Sequence, residues 1–211
     1  MKKHSPVPVF SRNVPGTTDV LQKATVGIAG CGGLGSNAAV SLVRAGVGNL
    51  ILADFDVVEA SNLNRQFYFQ ADIGEKKVQA LARHLQAINP DVHLKLVDKK
   101  LRPANISILF KEADLLIEAF DRAEGKTWLI ESWVSAFPSR PIVCANGISG
   151  IGRTESLAVR RSGAIHIVGD GETDMSAGLC AARVGIAAHM EANVALELLL
   201  KEHAARCLKK S

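Results

Sequence analysis

The chain has 211 residues, 47% of them hydrophobic and 22% charged, with a formal net charge of +4. That length and apolar content suit one large α/β domain with a sizeable core. The mild, scattered charge offers no basic patch for nucleic acid, and no uncharged apolar run approaches membrane length, so a soluble cytoplasmic protein with no membrane partner is expected.

Residues 1–24 are polar and punctuated by Pro6, Pro8 and Pro15; they read as an N-terminal arm or short helix ahead of a single domain over residues 25–211. Residues 26–29 form an apolar strand that runs into Gly30, Gly32, Gly33 and Gly35, with a helix over 36–45. A second strand, 50–53, ends on two acids, Asp54 and Asp56. Glycines let the backbone approach phosphates, a helix N-terminus favours negative charge, and an acid at the second strand's end reaches a ribose. On its own this is the pattern of a dinucleotide-dependent oxidoreductase. There is no GxxxxGK[ST] run, which excludes a P-loop ATPase.

Further on, Val78, Leu81, Ala82, Leu85 and Ile88 recur at helical spacing, which predicts a helix over 74–87 that Asn89-Pro90 ends. Strands follow at 92–97, 113–119 and 141–145, with helices at 105–110 and 123–136. The alternation predicts a Rossmann-like, mostly parallel sheet with helices on both faces. The last third changes character. A glycine-rich stretch, 147–152, precedes two short strands, 154–160 and 164–168, that read as an antiparallel extension. An acidic loop, 169–176, leads to a long helix over 182–205. The basic tail (Lys201, Arg206, Lys209, Lys210) reads as a solvated helix end.

The polar run Ser61-Asn62-Leu63-Asn64-Arg65-Gln66 does not fit hydride transfer. A guanidinium grips phosphate oxygens bidentately and an amide supplies neutral donors. Both are wanted where negative charge builds on an α-phosphate and on departing pyrophosphate. Lys76 and Lys77 begin the next helix, within reach of the same phosphates. Asp121 follows a buried strand at the carboxyl edge, where a carboxylate can hold Mg2+ or cap the next helix. Asp56, two residues beyond Asp54, can support a metal, orient a neighbouring arginine or cap a turn. Four cysteines, Cys31, Cys144, Cys180 and Cys207, form no CxxC pair, which favours reduced thiols over a zinc ribbon.

These motifs together resemble the ubiquitin-activating-like superfamily, in its ThiF/MoeB-like branch. The resemblance runs through Gly30-Cys31-Gly32-Gly33-Leu34-Gly35, Asp54-Phe55-Asp56, residues 61–66, Ile73-Gly74-Glu75-Lys76-Lys77 and Glu118-Ala119-Phe120-Asp121. It continues in Gly178-Leu179-Cys180-Ala181-Ala182-Arg183, which is similar to the short ThiF branch. The resemblance implies ATP-dependent adenylation of the terminal glycine of a small β-grasp sulfur carrier with a GlyGly C-terminus, for thiazole formation in thiamine biosynthesis. It implies that Asp54 binds the ribose and that Asn62, Arg65 and Gln66 surround the triphosphate. Lys77 would stabilise the α-phosphate transition state and Asp121 would hold Mg2+. A homodimer is implied, with Arg12 reaching the partner's site. Two positions depart from the family pattern, Arg122 in place of an amide and Lys126 in place of an arginine, and no structural zinc is expected. Cys180 is a candidate thiol for a covalent link to the carrier. A MoaD-like carrier, a tRNA-modification enzyme of the same superfamily and a non-catalytic dimer partner remain as alternatives.

Overall fold

The structure, a computed structural model, describes residues 8–208. The first seven residues of the expected arm, and Lys209 and Lys210 of the tail, lie outside the described residues. Seven strands form one sheet in the order β3-β2-β1-β4-β5-β7-β6. They are β1 (Thr25–Ala29), β2 (Asn49–Ala53), β3 (His93–Val97), β4 (Leu115–Glu118), β5 (Ile142–Ala145), β6 (Ala158–Ser162) and β7 (Ile165–Gly169). All pairings are parallel except β6 with β7, a hairpin on one edge of the sheet. The central strands are apolar almost throughout because both faces are covered, whereas the edge strand β3 exposes most of its residues.

Two helical layers cover the sheet. On one face lie α1 (Thr18–Leu21), α2 (Gly33–Ala45), α3 (Lys77–Ile88) and α6 (Ala181–Leu208). Their core includes Leu42, Val43, Leu81, Leu85, Ala188 and Ala195 against Ile28 and Leu52. On the other face, α4 (Pro103–Leu109) and α5 (Ala123–Ala136) bring Ile106, Leu129 and Trp133 against Ile51, Leu116 and Ile142. Each large aliphatic side chain fully buried in these layers contributes about 1.5–3 kcal/mol. The chain steps outward from β1 to β2 to β3, then returns to place β4 on β1's other side. That reversal opens a crevice at the carboxyl ends of β1 and β4, where such sheets bind ligands.

Several boundaries differ from those the sequence predicts. Helix α3 begins at Lys77 and not at Gly74. Residues 74–76 belong instead to a turn: Gly74 has φ +90°, and Val57 pairs with Lys76 in an isolated bridge. Strand β6 begins only at Ala158, because Arg153 adopts φ +50° and Thr154–Ser156 forms a 3-10 turn. Helix α2 begins earlier than predicted, at Gly33, inside the glycine run. Among the described residues, Phe10 and Leu21 are buried against the domain, and no helix is long and apolar enough to cross a membrane.

Candidate functional site

Four strand ends share one level. Ala29 is in register with Ala53 and with Glu118, and Glu118 with Cys144. From that level β1 turns through the glycine loop into α2. Two of the glycines are demanded by close approach. A Cβ on Gly35 would lie 1.9 Å from the Gly30 carbonyl oxygen, and one on Gly30, at φ +96°, would lie 2.8 Å from the Ala119 carbonyl oxygen. Gly32 differs: the nearest atom to a Cβ there is Gln66 Nε2 at 3.7 Å. The loop therefore fits tightly against β4 behind and faces the side chain of Gln66 in front.

Asp54 fastens this loop from the end of β2. Its Oδ2 accepts the Cys31 backbone N–H at 2.7 Å, and its Oδ1 accepts the Asp56 N–H at 2.8 Å. Each oxygen keeps a second lone pair for a further donor such as a ribose hydroxyl. Asp56 meets Lys77 Nζ at 3.1 Å, and the Lys77 N–H donates to the Asp56 carbonyl at 3.0 Å. The cation that Asp56 orients is thus a lysine and not an arginine. Lys77 is almost buried. Lys76 turns away, donating to the Phe55 carbonyl at 2.9 Å and pairing with Asp98 at 3.2 Å.

Tyr68, the chain's single tyrosine, belongs to none of the sequence motifs. Its buried hydroxyl lies 2.8 Å from the Cys31 carbonyl and 3.4 Å from the Lys77 carbonyl. It ties the glycine loop to the start of α3 and so sets where Lys77 stands. Burial pushes both the Tyr68 hydroxyl and the Cys31 thiol up, and the nearby Asp54 pushes the same way, so both stay protonated. Cys31 is a packing residue of the turn.

The 61–66 segment covers the loop. Asn62 Oδ1 accepts the Glu59 N–H at 3.1 Å. Arg65 Nη1 donates to the Ser61 carbonyl at 3.1 Å and to Asn64 Oδ1 at 2.8 Å. Asn37 of α2 binds the Arg65 carbonyl at 2.9 Å, and Ser36 Oγ accepts the Phe67 N–H at 2.9 Å. Gln66 is buried, and its Oε1 has no hydrogen-bond partner among the described residues. A buried amide oxygen without a partner is costly unless a donor completes it.

Asp121 is exposed and lies beyond β4, just past Ala119 and Phe120, which stand against Gly30. It does not cap α5: that position belongs to Arg122, whose side chain makes no cap hydrogen bond. Lys126 turns inward to Glu118 instead of towards the crevice. Among the described residues, no group of three or more His, Cys, Asp or Glu side chains is placed to hold a metal ion.

Cys180 directly precedes α6. The neighbouring Leu179 carbonyl accepts Asn64 Nδ2 at 3.2 Å, which puts this partly exposed thiol beside the 61–66 segment. Arg183 is buried in an ion pair with Asp170 at 2.6 Å and also donates to the Gly152 and Arg153 carbonyls at 2.5 and 3.1 Å. It latches the loops 147–152 and 169–178 together, and the Gly150 N–H adds a bond to the Gly178 carbonyl at 2.8 Å. Arg12 is the one site residue set apart. The adjacent Asn13 binds the Ala45 carbonyl at 2.9 Å, at the far end of α2 from the glycine loop. A 13-residue helix separates the two by about 20 Å.

Comparison with known proteins follows this geometry. The model of the ThiF family matches residues 8–210. The chain is 41% identical over 102 residues to a probable adenylyltransferase/sulfurtransferase MoeZ of Mycobacterium tuberculosis, across 48% of this chain and 26% of that protein. It is 31% identical over 208 residues to the sulfur carrier protein ThiS adenylyltransferase of Bacillus subtilis, across 95% of this chain and 61% of that protein. The match thus covers about a quarter of the first relative's length and 61% of the second's, less than two thirds in each case. Its fold is similar to that of the E. coli tRNA N6-threonylcarbamoyladenosine dehydratase TcdA, with TM-score 0.82 and 21% identity over 90% of this chain and 91% of that one. The same E. coli protein in complex with ATP gives a TM-score of 0.78 at 22% identity, covering 90% of each chain. The chain belongs to the ThiF family.

Proposed function

We propose that the chain adenylates the C-terminal glycine of a small ThiS-like sulfur carrier, using ATP, and serves thiazole formation in thiamine biosynthesis. The observation that carries this is the cradle itself: a nearly buried Lys77 ammonium and the Gln66 Nε2 donor, both beside a glycine loop open at Gly32. An anionic triphosphate fits these groups. The first N–H groups of α2, the Gln66 amide and the Lys77 and Arg65 cations all suit phosphate oxygens. Asp121, as one carboxylate at the rim, suits an Mg2+ ion bound mostly by phosphates and water. Membership of the ThiF family and the likeness to a ThiS adenylyltransferase support the carrier as substrate.

In this reading the carrier's terminal carboxylate attacks the α-phosphorus, the bond to the β-phosphate oxygen breaks, and pyrophosphate leaves with that electron pair. The carboxylate is already ionised at neutral pH, so no general base is required. Catalysis consists of positioning and charge stabilisation by Lys77 and Arg65. The latched loops 147–152 and 169–178 line the carrier tail's approach. Arg12, too far from its own glycine loop, acts in the partner site of a homodimer.

ATP–pyrophosphate exchange with a purified GlyGly-ending carrier tests this. Exchange should require the carrier and fall about 100-fold or more in Lys77→Met and Asp121→Asn. Carrier-dependent exchange with a MoaD-type and not a ThiS-type partner would move the chain to molybdopterin synthesis. ATP turnover that requires tRNA would favour the tRNA-modification alternative, and no exchange with any partner would sink the adenylation reading.

A further inference from the structure

The segment between Gln66 and Lys77 is folded around one buried acid, Asp72, which ends a 3-10 turn over Gln70–Asp72. Its Oδ2 accepts the Phe69 N–H at 2.7 Å and lies 2.7 Å from His84 Nε2, and its Oδ1 accepts Arg83 Nη2 at 2.6 Å. Burial pushes this carboxyl up, but the Phe69 N–H, then His84 and Arg83, outweigh it and hold it below the ordinary carboxylate range. Arg83 and His84 belong to α3, the helix that begins at Lys77. Arg83 also pairs with Glu75 at 2.6 Å, and the His84 ring stands edge-on to Phe69 and Phe67 at 4.9 and 6.1 Å. The stretch that leads into α3 is therefore tied back onto α3 itself.

The clamp reaches Lys77 through the main chain. The Glu75 N–H donates to the Asp72 carbonyl at 2.9 Å, the Glu75 carbonyl accepts the Val58 N–H at 2.9 Å, and the Lys77 N–H donates to the Asp56 carbonyl at 3.0 Å. Residues just before Lys77 are thus fixed both to α3 and to residues 56–58. The Lys77 ammonium itself is held only by a half-exposed aspartate, so where it can reach is set by where its backbone stands. We propose that Asp72 is a positioning residue for Lys77: by binding the 69–75 stretch to Arg83 and His84, it fixes the lysine's main chain where the ammonium meets a phosphate beside the glycine loop. Asp72 is enclosed by Phe69, Arg83 and His84 and acts through Lys77. An amide in its place can still accept the Phe69 N–H, but it turns a donor towards Arg83 or His84 and lacks the charge that draws them in.

This inference rests on the reading of Lys77 as a cation for the transferring phosphate. In Asp72→Asn, kcat for carrier-dependent pyrophosphate exchange should fall about 10- to 100-fold while the KM for ATP stays within about twofold. In Lys77→Met there is no ammonium left to position, so adding Asp72→Asn should cost less than about twofold more. An equal loss in both backgrounds, or an unchanged kcat in Asp72→Asn, would overturn the proposal. Arg83→Met, at a half-exposed side chain, covers the case in which Asp72→Asn does not fold. It should lower kcat, and Arg83→Lys, which keeps a cation on Asp72, should restore most of it; wild-type kcat in Arg83→Met also overturns the proposal. Amide hydrogen exchange separates this inference from the reading beneath it. In Asp72→Asn the Glu75 and Lys77 amides should exchange about tenfold faster relative to those of β1. An unchanged Lys77 amide overturns the positioning role whether or not the protein turns over ATP. A wild type without carrier-dependent pyrophosphate exchange would sink adenylation, and the amides alone would then decide whether Asp72 holds Lys77.

Discussion

Lys77–Asp56 and Arg183–Asp170 are both cation–aspartate contacts of ordinary length, 3.1 and 2.6 Å. Their surroundings separate them. In the first pair the side chains are 8% and 51% exposed; in the second, 3% and 2%. Asp56 is half in water, so Lys77 gains little net energy from it and can turn to a stronger anion at little loss. Asp170 has no such freedom. Its oxygens accept from the Glu172 and Thr173 N–H groups, the Thr173 hydroxyl and Arg183, and it braces two loops at once. Arg183 is thus a structural brace of two loops, while Lys77 is held only loosely by its aspartate.

Breaking the buried pair gives the largest expected effect. Arg183→Ala strands the Asp170 carboxylate in the interior and should lower stability by about 3–5 kcal/mol in urea denaturation. A loss under about 1 kcal/mol would mean that the loops are held otherwise, and the contrast between the pairs would collapse. The same pair predicts an acid limb. Burial alone would raise the Asp170 carboxyl, but the Thr173, Glu172 and Arg183 contacts outweigh it and hold it well below the usual range. A depressed folded value means the stabilisation is full above the unfolded carboxylate's ordinary pKa of about 3.9 and is lost as pH falls through the folded value. The stability gap between wild type and Asp170→Asn should therefore be widest at neutral pH, somewhat smaller than for Arg183→Ala, and close in strong acid.

Next in size, Asp54→Ala leaves the Cys31 and Asp56 N–H groups without their acceptor and should remove about 1–3 kcal/mol, together with ATP affinity measured by calorimetry. Smallest for the fold is Lys77→Met, which keeps the buried stem and should change stability by under about 1 kcal/mol while removing most pyrophosphate exchange. A stability loss as large as that of Arg183→Ala would erase the distinction between brace and working group.

The sequence makes the N-terminal half of the site readable because its groups come as contiguous runs. The glycine loop, Asp54, Asp56, residues 61–66 and Lys77 are neighbours in space as they are in the chain. Groups assembled from distant elements were not readable in the same way. Glu118 looks like the polar end of an apolar strand, and only the packing of α5 onto the sheet brings Lys126 to both its oxygens. Tyr68 carries no motif signal, because an aromatic beside Phe67 and Phe69 reads as core. The start of α3 differs from the predicted one because Gly74 and the Val57–Lys76 bridge override a local helical pattern.

Helix α2 also acts as a spacer of fixed length. It holds the Arg12 segment at one end and the glycine loop at the other, and no rotamer of Arg12 spans its length. If each site borrows its arginine, two inactive variants can repair one another. Arg12→Ala retains a sound cradle, and Lys77→Met retains a sound arginine. Mixed in equal amounts and allowed to exchange subunits, half of the dimers would pair one of each and hold one complete site in two. About a quarter of wild-type exchange activity should then return from proteins that are each silent alone.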